Sequence, residues 1–178
     1  ILHAALARTR TGDARVVGIS AEPGGGKTRL CQEFVQHCRG QGLRVCEVRA
    51  QLYGHATPLQ PILELLRGFY FGMAATDTPD IARTRIAQRL QALQASADDV
   101  ELVCEFLGVA APDAAASTLT PRAKHQRMLE LLRLLVRDDA GASAVLLLED
   151  LHWLDEASEA VVAALVEAVA GTHTLVVM

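Results

Sequence analysis

No block of basic residues interrupts this sequence: 17 Lys and Arg are dispersed among 21 Asp and Glu, for a formal net charge of −4 over 178 residues. That balance leaves out the concentrated positive surface that grips nucleic acid or an anionic membrane, so direct nucleic-acid binding is not expected. Cysteines at Cys-x-x-Cys spacing are absent as well. Cys31, Cys38, Cys46 and Cys104 stand among apolar neighbours, as small hydrophobes do, and read as free thiols in a reducing cytoplasm. The longest purely apolar runs are the length of a strand, well short of the roughly 20 residues that span a bilayer, and no secretory pattern opens the chain. No membrane partner is expected, and no segment repeats another. His3, His37, His55, His125 and His173 are scattered in a way that suggests no metal site. The single tryptophan, Trp153, reads as an anchor that packs a turn.

What the chain does have is apolar material, 51% of its residues, enough for one substantial core and one globular domain. Its most informative stretch runs from Val16 to Leu30. A short apolar strand, Val16 to Ile19, breaks into Ala21-Glu22-Pro23-Gly24-Gly25-Gly26, and Lys27-Thr28-Arg29-Leu30 then open a helix. Three successive glycines let backbone N–H groups turn inward around an anion. Lys27 brings a point charge for β and γ phosphates, and the Thr28 hydroxyl suits Mg²⁺. The helix adds the positive end of its dipole. An ordinary glycine-rich turn has no need of Lys-Thr directly after its third glycine. Ala21 stands where such phosphate loops begin with glycine, a departure for which Gly24 to Gly26 compensate in part.

Around this loop the periodicity predicts an α/β domain. Leu2, Ala5 and Leu6 form a weak helical stripe ended by Thr11-Gly12-Asp13. After the loop, Leu30, Cys31, Phe34, Val35 and Cys38 recur at helical spacing as far as Gly40-Gln41-Gly42. A second strand, Leu43 to Arg49, mixes Arg44, Glu47 and Arg49 with apolar residues in the manner of a sheet edge. Between residues 51 and 139 the signals are helix starts: Thr57-Pro58, Thr78-Pro79, Ser96 with Asp98 and Asp99, and Thr120-Pro121, each followed by an apolar stripe. Ala110 to Thr118, rich in Ala, Pro and Ser, reads as a surface connection. The sheet resumes with the apolar run Ala144 to Leu148. Asp155 or Ser158 caps a helix through Val161, Leu165 and Val169, Gly171 ends it, and a fourth strand starts at Leu175. Uninterrupted apolar strands separated by helices imply a parallel sheet covered on both faces, with 51–139 a mostly helical insertion between strands 2 and 3.

The third strand supplies the other half of a site. It ends in Glu149-Asp150, and strands of such a sheet present ligands at their carboxyl ends, so these acids belong beside the loop that ends the first strand. By position, Glu149 suits the metal and its water shell, and Asp150 suits the orientation of an attacking water. The usual order is Asp then Glu; the shorter Asp150 in second place predicts slow hydrolysis. His152 is suited either to sensing the γ-phosphate or to a structural hydrogen bond.

With both halves read, Ala21 to Leu30 together with Leu147-Leu148-Glu149-Asp150-Leu151-His152-Trp153-Leu154-Asp155 resembles the origin-recognition-like AAA ATPase modules of the STAND class, found in bacterial multidomain signalling proteins beside cyclase, kinase or LuxR-type DNA-binding domains. Tyr53-Gly54-His55-Ala56-Thr57-Pro58-Leu59 and Leu119-Thr120-Pro121 are similar to what those modules carry between the two motifs. The resemblance implies a three-layer P-loop NTPase fold with sheet order 1-4-3-2 and a fifth strand beyond Met178. It also implies an adenine-contacting segment before Ile1, and a sensor arginine and winged-helix lid after Met178. The absence of an initiator Met and the apolar end at Leu175 to Met178 fit a truncated domain of a longer protein. The expected function is a regulatory ATPase that binds ATP and Mg²⁺ and acts as a slow conformational switch. Glu22, Pro23, Gly24, Gly25, Gly26, Lys27, Thr28 and Arg29 would hold the nucleotide, Thr28 and Glu149 the metal, and Lys27 and Asp150 would serve catalysis. Its partners would be ATP or ADP, other domains of the same chain and, with nucleotide, further copies of itself. The alternatives are a phosphotransferase with the insertion as acceptor lid, and a nucleotide-binding scaffold without turnover.

Overall fold

The apolar run Ala144–Glu149 forms β3, buried along its length up to its last residue. β2 (Arg44–Arg49) pairs with one side of it and β4 (Thr174–Val177) with the other; β1 (Arg15–Val17) pairs with β4. All three pairings are parallel, in the order β1-β4-β3-β2, as the resemblance implied. The two apolar strands take the middle and the charged β2 takes an edge, because only the middle strands are covered on both faces. The computed structural model describes residues 1–22, 24–50, 59–113 and 118–178.

Alternation along the strands divides the interior in two. Val145, Leu147, Leu175 and Val177 face α1 (Leu2–Thr9) and α2 (Lys27–Gly40), meeting Leu2, Leu6, Phe34, Val35 and Cys38. Leu146, Leu148 and Val176 face the opposite way, into a larger core filled by the insertion and by α7 (Glu156–Ala168). Every regular element of the insertion among the described residues is a helix. The insertion comprises α3 (Gln60–Glu64), α4 (Pro79–Ala92), α5 (Ala97–Phe106) and α6 (Pro121–Asp138), and Ile62, Leu65, Ile86, Leu90, Val103, Leu107, Leu131 and Leu135 are almost fully buried.

The start signals act as read. The hydroxyls of Thr78 and Thr120 accept from the amides of Ile81 and Ala123, Ser96 and Asp99 form a reciprocal capping box, and Asp155, not Ser158, caps α7. Thr57-Pro58 lies outside the described residues. Past the start of α3 the chain differs from a plain amphipathic helix: α3 passes directly into a π-helical segment, Leu65–Tyr70, with the Phe71 amide reaching back to the Leu66 carbonyl. The wider turn lets Leu65, Leu66, Tyr70 and Phe71 all enter the core. Leu30 and Ile81, placed on apolar stripes by spacing, are 48% and 45% exposed, since each lies in the first turn of its helix, where the packed face has not yet begun. No described helix is long and apolar enough to cross a membrane, and all four cysteines are free.

Candidate functional site

The glycine-rich segment leaves β1 and winds into α2. Gly24 and Gly26 take the left-handed backbone, at φ 82° and 79°, which only glycine adopts without strain. Gly25 is fixed for a different reason. Its amide donates to the Glu22 carbonyl at 3.0 Å, and a Cβ there would lie 3.0 Å from that same oxygen and 3.1 Å from the Ala21 methyl. The turn is therefore closed by backbone packing, with Ala21 fitting against it. Gly26 precedes α2 without any side-chain cap, so the first amides of α2 have no acceptor from a capping residue.

Lys27, the first residue of α2, lines a cleft of about 180 Å³ together with Ile19, Cys31, Leu147, Leu148, Glu149, Asp150, His152 and Met178. The loop that ends β1 and the acids that end β3 thus share one opening, with the end of β4 between them. Met178 extends the pairing of β4 with the β1 side, its amide donating to the Val17 carbonyl and its carbonyl accepting from the Ile19 amide. Among the described residues neither the Lys27 ammonium nor the Thr28 hydroxyl has a hydrogen bond or ion pair. Cys31 lies beneath: burial foremost, and then Glu149, push its thiol pKa up against the pull of Lys27, so it stays protonated.

The two acids are already engaged. The Arg49 guanidinium, at the end of β2, donates from Nη2 to Glu149 Oε2 at 2.8 Å, and its Nε lies 3.5 Å from Asp150 Oδ2. Glu149 is mostly covered, at 12% exposed; Asp150 is more open, at 34%. Asp150 adopts the left-handed backbone at φ 58° and starts a 3₁₀ turn, Leu151–Trp153. Arg49 went unremarked as a site residue in the sequence, although the signal was present. It closes β2 as Glu149 closes β3, and parallel neighbours in register set the two side by side.

The remaining loop residues are dispersed. Glu22 is exposed, Arg29 points away into an ion pair with Glu33 at 2.8 Å, and Pro23 lies outside the described residues. His152 is exposed and stacks obliquely on Trp153, ring centroids 4.6 Å apart. Among the described residues no three His, Cys, Asp or Glu side chains gather as a metal cluster. The oxygens of Thr28 and Glu149 are nevertheless the hard donors Mg²⁺ prefers, and Mg²⁺ needs only one or two of them when phosphates and water complete its shell. A helix start without a side-chain cap, two left-handed glycines and a lysine with no partner among the described residues fit a polyphosphate on the other side.

A parallel sheet in this order, with a glycine-rich loop leading from β1 into a helix and acids at the end of β3, defines a P-loop nucleotide-binding module. The model of the family described as AAA ATPase domain matches residues 1–177, and the chain belongs to that family. Comparison with curated proteins and with solved structures found no match.

Proposed function

We propose that this ATPase module is a slow, Mg²⁺-dependent regulatory switch, and the observation that carries the reading is the single cleft shared by Lys27, Glu149 and Asp150. In this reading the amides of Gly24 to Thr28 and the Lys27 ammonium hold the β and γ phosphates, with Glu22, Pro23 and Arg29 flanking them. Thr28 and Glu149 would hold the metal, which when bound offsets phosphate charge. Asp150 accepts a proton from the attacking water and orients it. Its short side chain and its proximity to Arg49 both favour slow turnover. Slow hydrolysis suits a timer whose state is read by other domains of a longer cytoplasmic chain, or by further copies assembled on the nucleotide.

The test is Lys27→Ala. Calorimetric titration with ATP and Mg²⁺ should show binding to the unaltered chain and a loss of at least a hundredfold in affinity in the variant, about 2.7 kcal/mol. Equal affinities would remove Lys27 and its loop from the site.

A further inference from the structure

The turn after Glu149 and Asp150 holds a carboxylate with more partners than a helix cap requires. Asp155 Oδ1 accepts the Ser158 amide at 2.9 Å, which completes the cap of α7. Its other oxygen, Oδ2, accepts the buried Ser158 hydroxyl at 2.9 Å and the Leu59 amide at 3.1 Å. Leu59 immediately precedes α3, so one carboxylate oxygen bonds the start of the insertion across 96 positions of sequence. Burial works against the charge on Asp155, yet these hydrogen bonds outweigh it and hold its pKa below the ordinary carboxylate range. The carboxylate is therefore an anion, and an acceptor only, throughout the neutral range.

Both ends of this connection are conformationally loaded. Leu59 and Asp150 sit at φ 63° and 58°, two of the three non-glycine residues with positive φ among the described residues. Such geometry is strained for a residue with a side chain and persists where the surroundings impose it. Between Asp150 and Asp155 there is little slack. The Trp153 amide donates to the Asp150 carbonyl at 2.9 Å and the Leu154 amide to the Leu151 carbonyl at 3.0 Å, one tight turn that runs straight into the cap. Trp153, Leu154 and Asp155 also share a polar recess of about 130 Å³ with Gln60, Pro61 and Arg49.

We propose that Asp155 is a positioning residue that couples the insertion to the reaction centre: its Oδ2 ties the Leu59 amide to the turn that sets the backbone of Asp150. It does not touch the nucleotide. A shift of α3 against the sheet would release the Leu59 amide from Asp155 and loosen the turn that aims Asp150, which makes the insertion an input to turnover. The inference takes hydrolysis at Asp150 from the functional reading above.

Asp155→Ser separates the two roles of the carboxylate. Serine caps helices well, so the Ser158 amide keeps an acceptor, but its hydroxyl is too short to reach Leu59 as well. With the full chain, the expected result is a kcat lowered about tenfold, with ATP affinity within about twofold of the original and the melting temperature lowered by no more than the few degrees that the orphaned, buried Ser158 hydroxyl accounts for. Trp153, the only tryptophan in the sequence, lies in the turn, so its emission should shift in the variant. Asp155→Asn, which keeps one oxygen for the cap and turns an amide N–H toward Leu59, carries the same test if the serine variant does not fold. Unchanged kcat overturns the coupling. So does a fall in kcat matched by loss of ATP affinity and of melting temperature, which is what a merely structural cap would give. If the unaltered chain binds ATP and releases no phosphate, the functional reading fails instead. The Trp153 emission then decides the coupling alone, a shift supporting it and an unchanged spectrum overturning it.

Discussion

Arg49 sits opposite Glu149 because β2 and β3 run parallel in register to their last residues. Half exposed, its ion pairs contribute on the order of 0–1 kcal/mol to stability. Their consequence for the site is larger, since the guanidinium bonds Glu149 Oε2, one of the two oxygens open to a cation there, and sets its positive charge beside both acids. A divalent cation must displace it or share Glu149 with it, and like charges so close oppose each other. Arg49→Ala should therefore lower the Mg²⁺ concentration that half-activates phosphate release, by roughly three- to tenfold if about 1 kcal/mol of repulsion is removed. Titration of Mg²⁺ at fixed ATP measures this. A higher Mg²⁺ requirement in the variant would mean that Arg49 aims the acids and does not mask them.

The start of α5 shows how one element carries both a local signal and a tertiary one. Ser96 and Asp99 satisfy each other's backbone amides, and the same Asp99 carboxylate receives Arg127 of α6 in a two-pronged contact, at 2.7 and 2.8 Å. The Arg127 hydrogen bonds are the main cause that holds the Asp99 pKa at about 2, below its ordinary 3.8, against burial that would raise it. A carboxyl depressed in the folded state stabilises fully above its unfolded value and loses that contribution as pH falls through the folded one. The loss thus belongs between about pH 4 and pH 2, and amounts to roughly 2 kcal/mol. Urea midpoints at pH 7, 4 and 2.5 should fall more steeply for the original chain than for Asp99→Asn; parallel decline would assign the acid sensitivity elsewhere. The cap was legible in the sequence because Ser and Asp three residues apart act on their own backbone. The Arg127 contact was not, since it depends on how α5 and α6 cross. The π segment escaped for a related reason: Leu65 to Phe71 scans as a helical stripe, and only the demand to bury Tyr70 and Phe71 together widens the turn.

For the whole molecule, the sheet was the most legible part, because β3 and β4 are apolar on both faces and β2 is not, and that contrast assigns centre and edge without any pair contacts. The site was legible to the extent that it follows from strand ends. Lys27, Glu149 and Asp150 converge because β1 and β3 point the same way, whereas Arg49 and Asp155 needed the register and the insertion's path. This construction has a thermodynamic consequence. A ligand held by the β1 loop and the β3 acids bridges segments more than 100 positions apart in the sequence, and the unfolded chain does not bring them together. Binding should therefore appear in full as stability of the fold. At 100 times its dissociation constant, ATP with Mg²⁺ should add about 2.7 kcal/mol, which for a chain of this size is a rise of roughly 5–10 °C in melting temperature. Scanning calorimetry with and without nucleotide measures it. Lys27→Ala should erase the rise while leaving the melting temperature of the free chain nearly unchanged, because Lys27 makes no ion pair or hydrogen bond with the described residues. An undiminished rise in that variant would place the stabilising nucleotide somewhere other than this cleft.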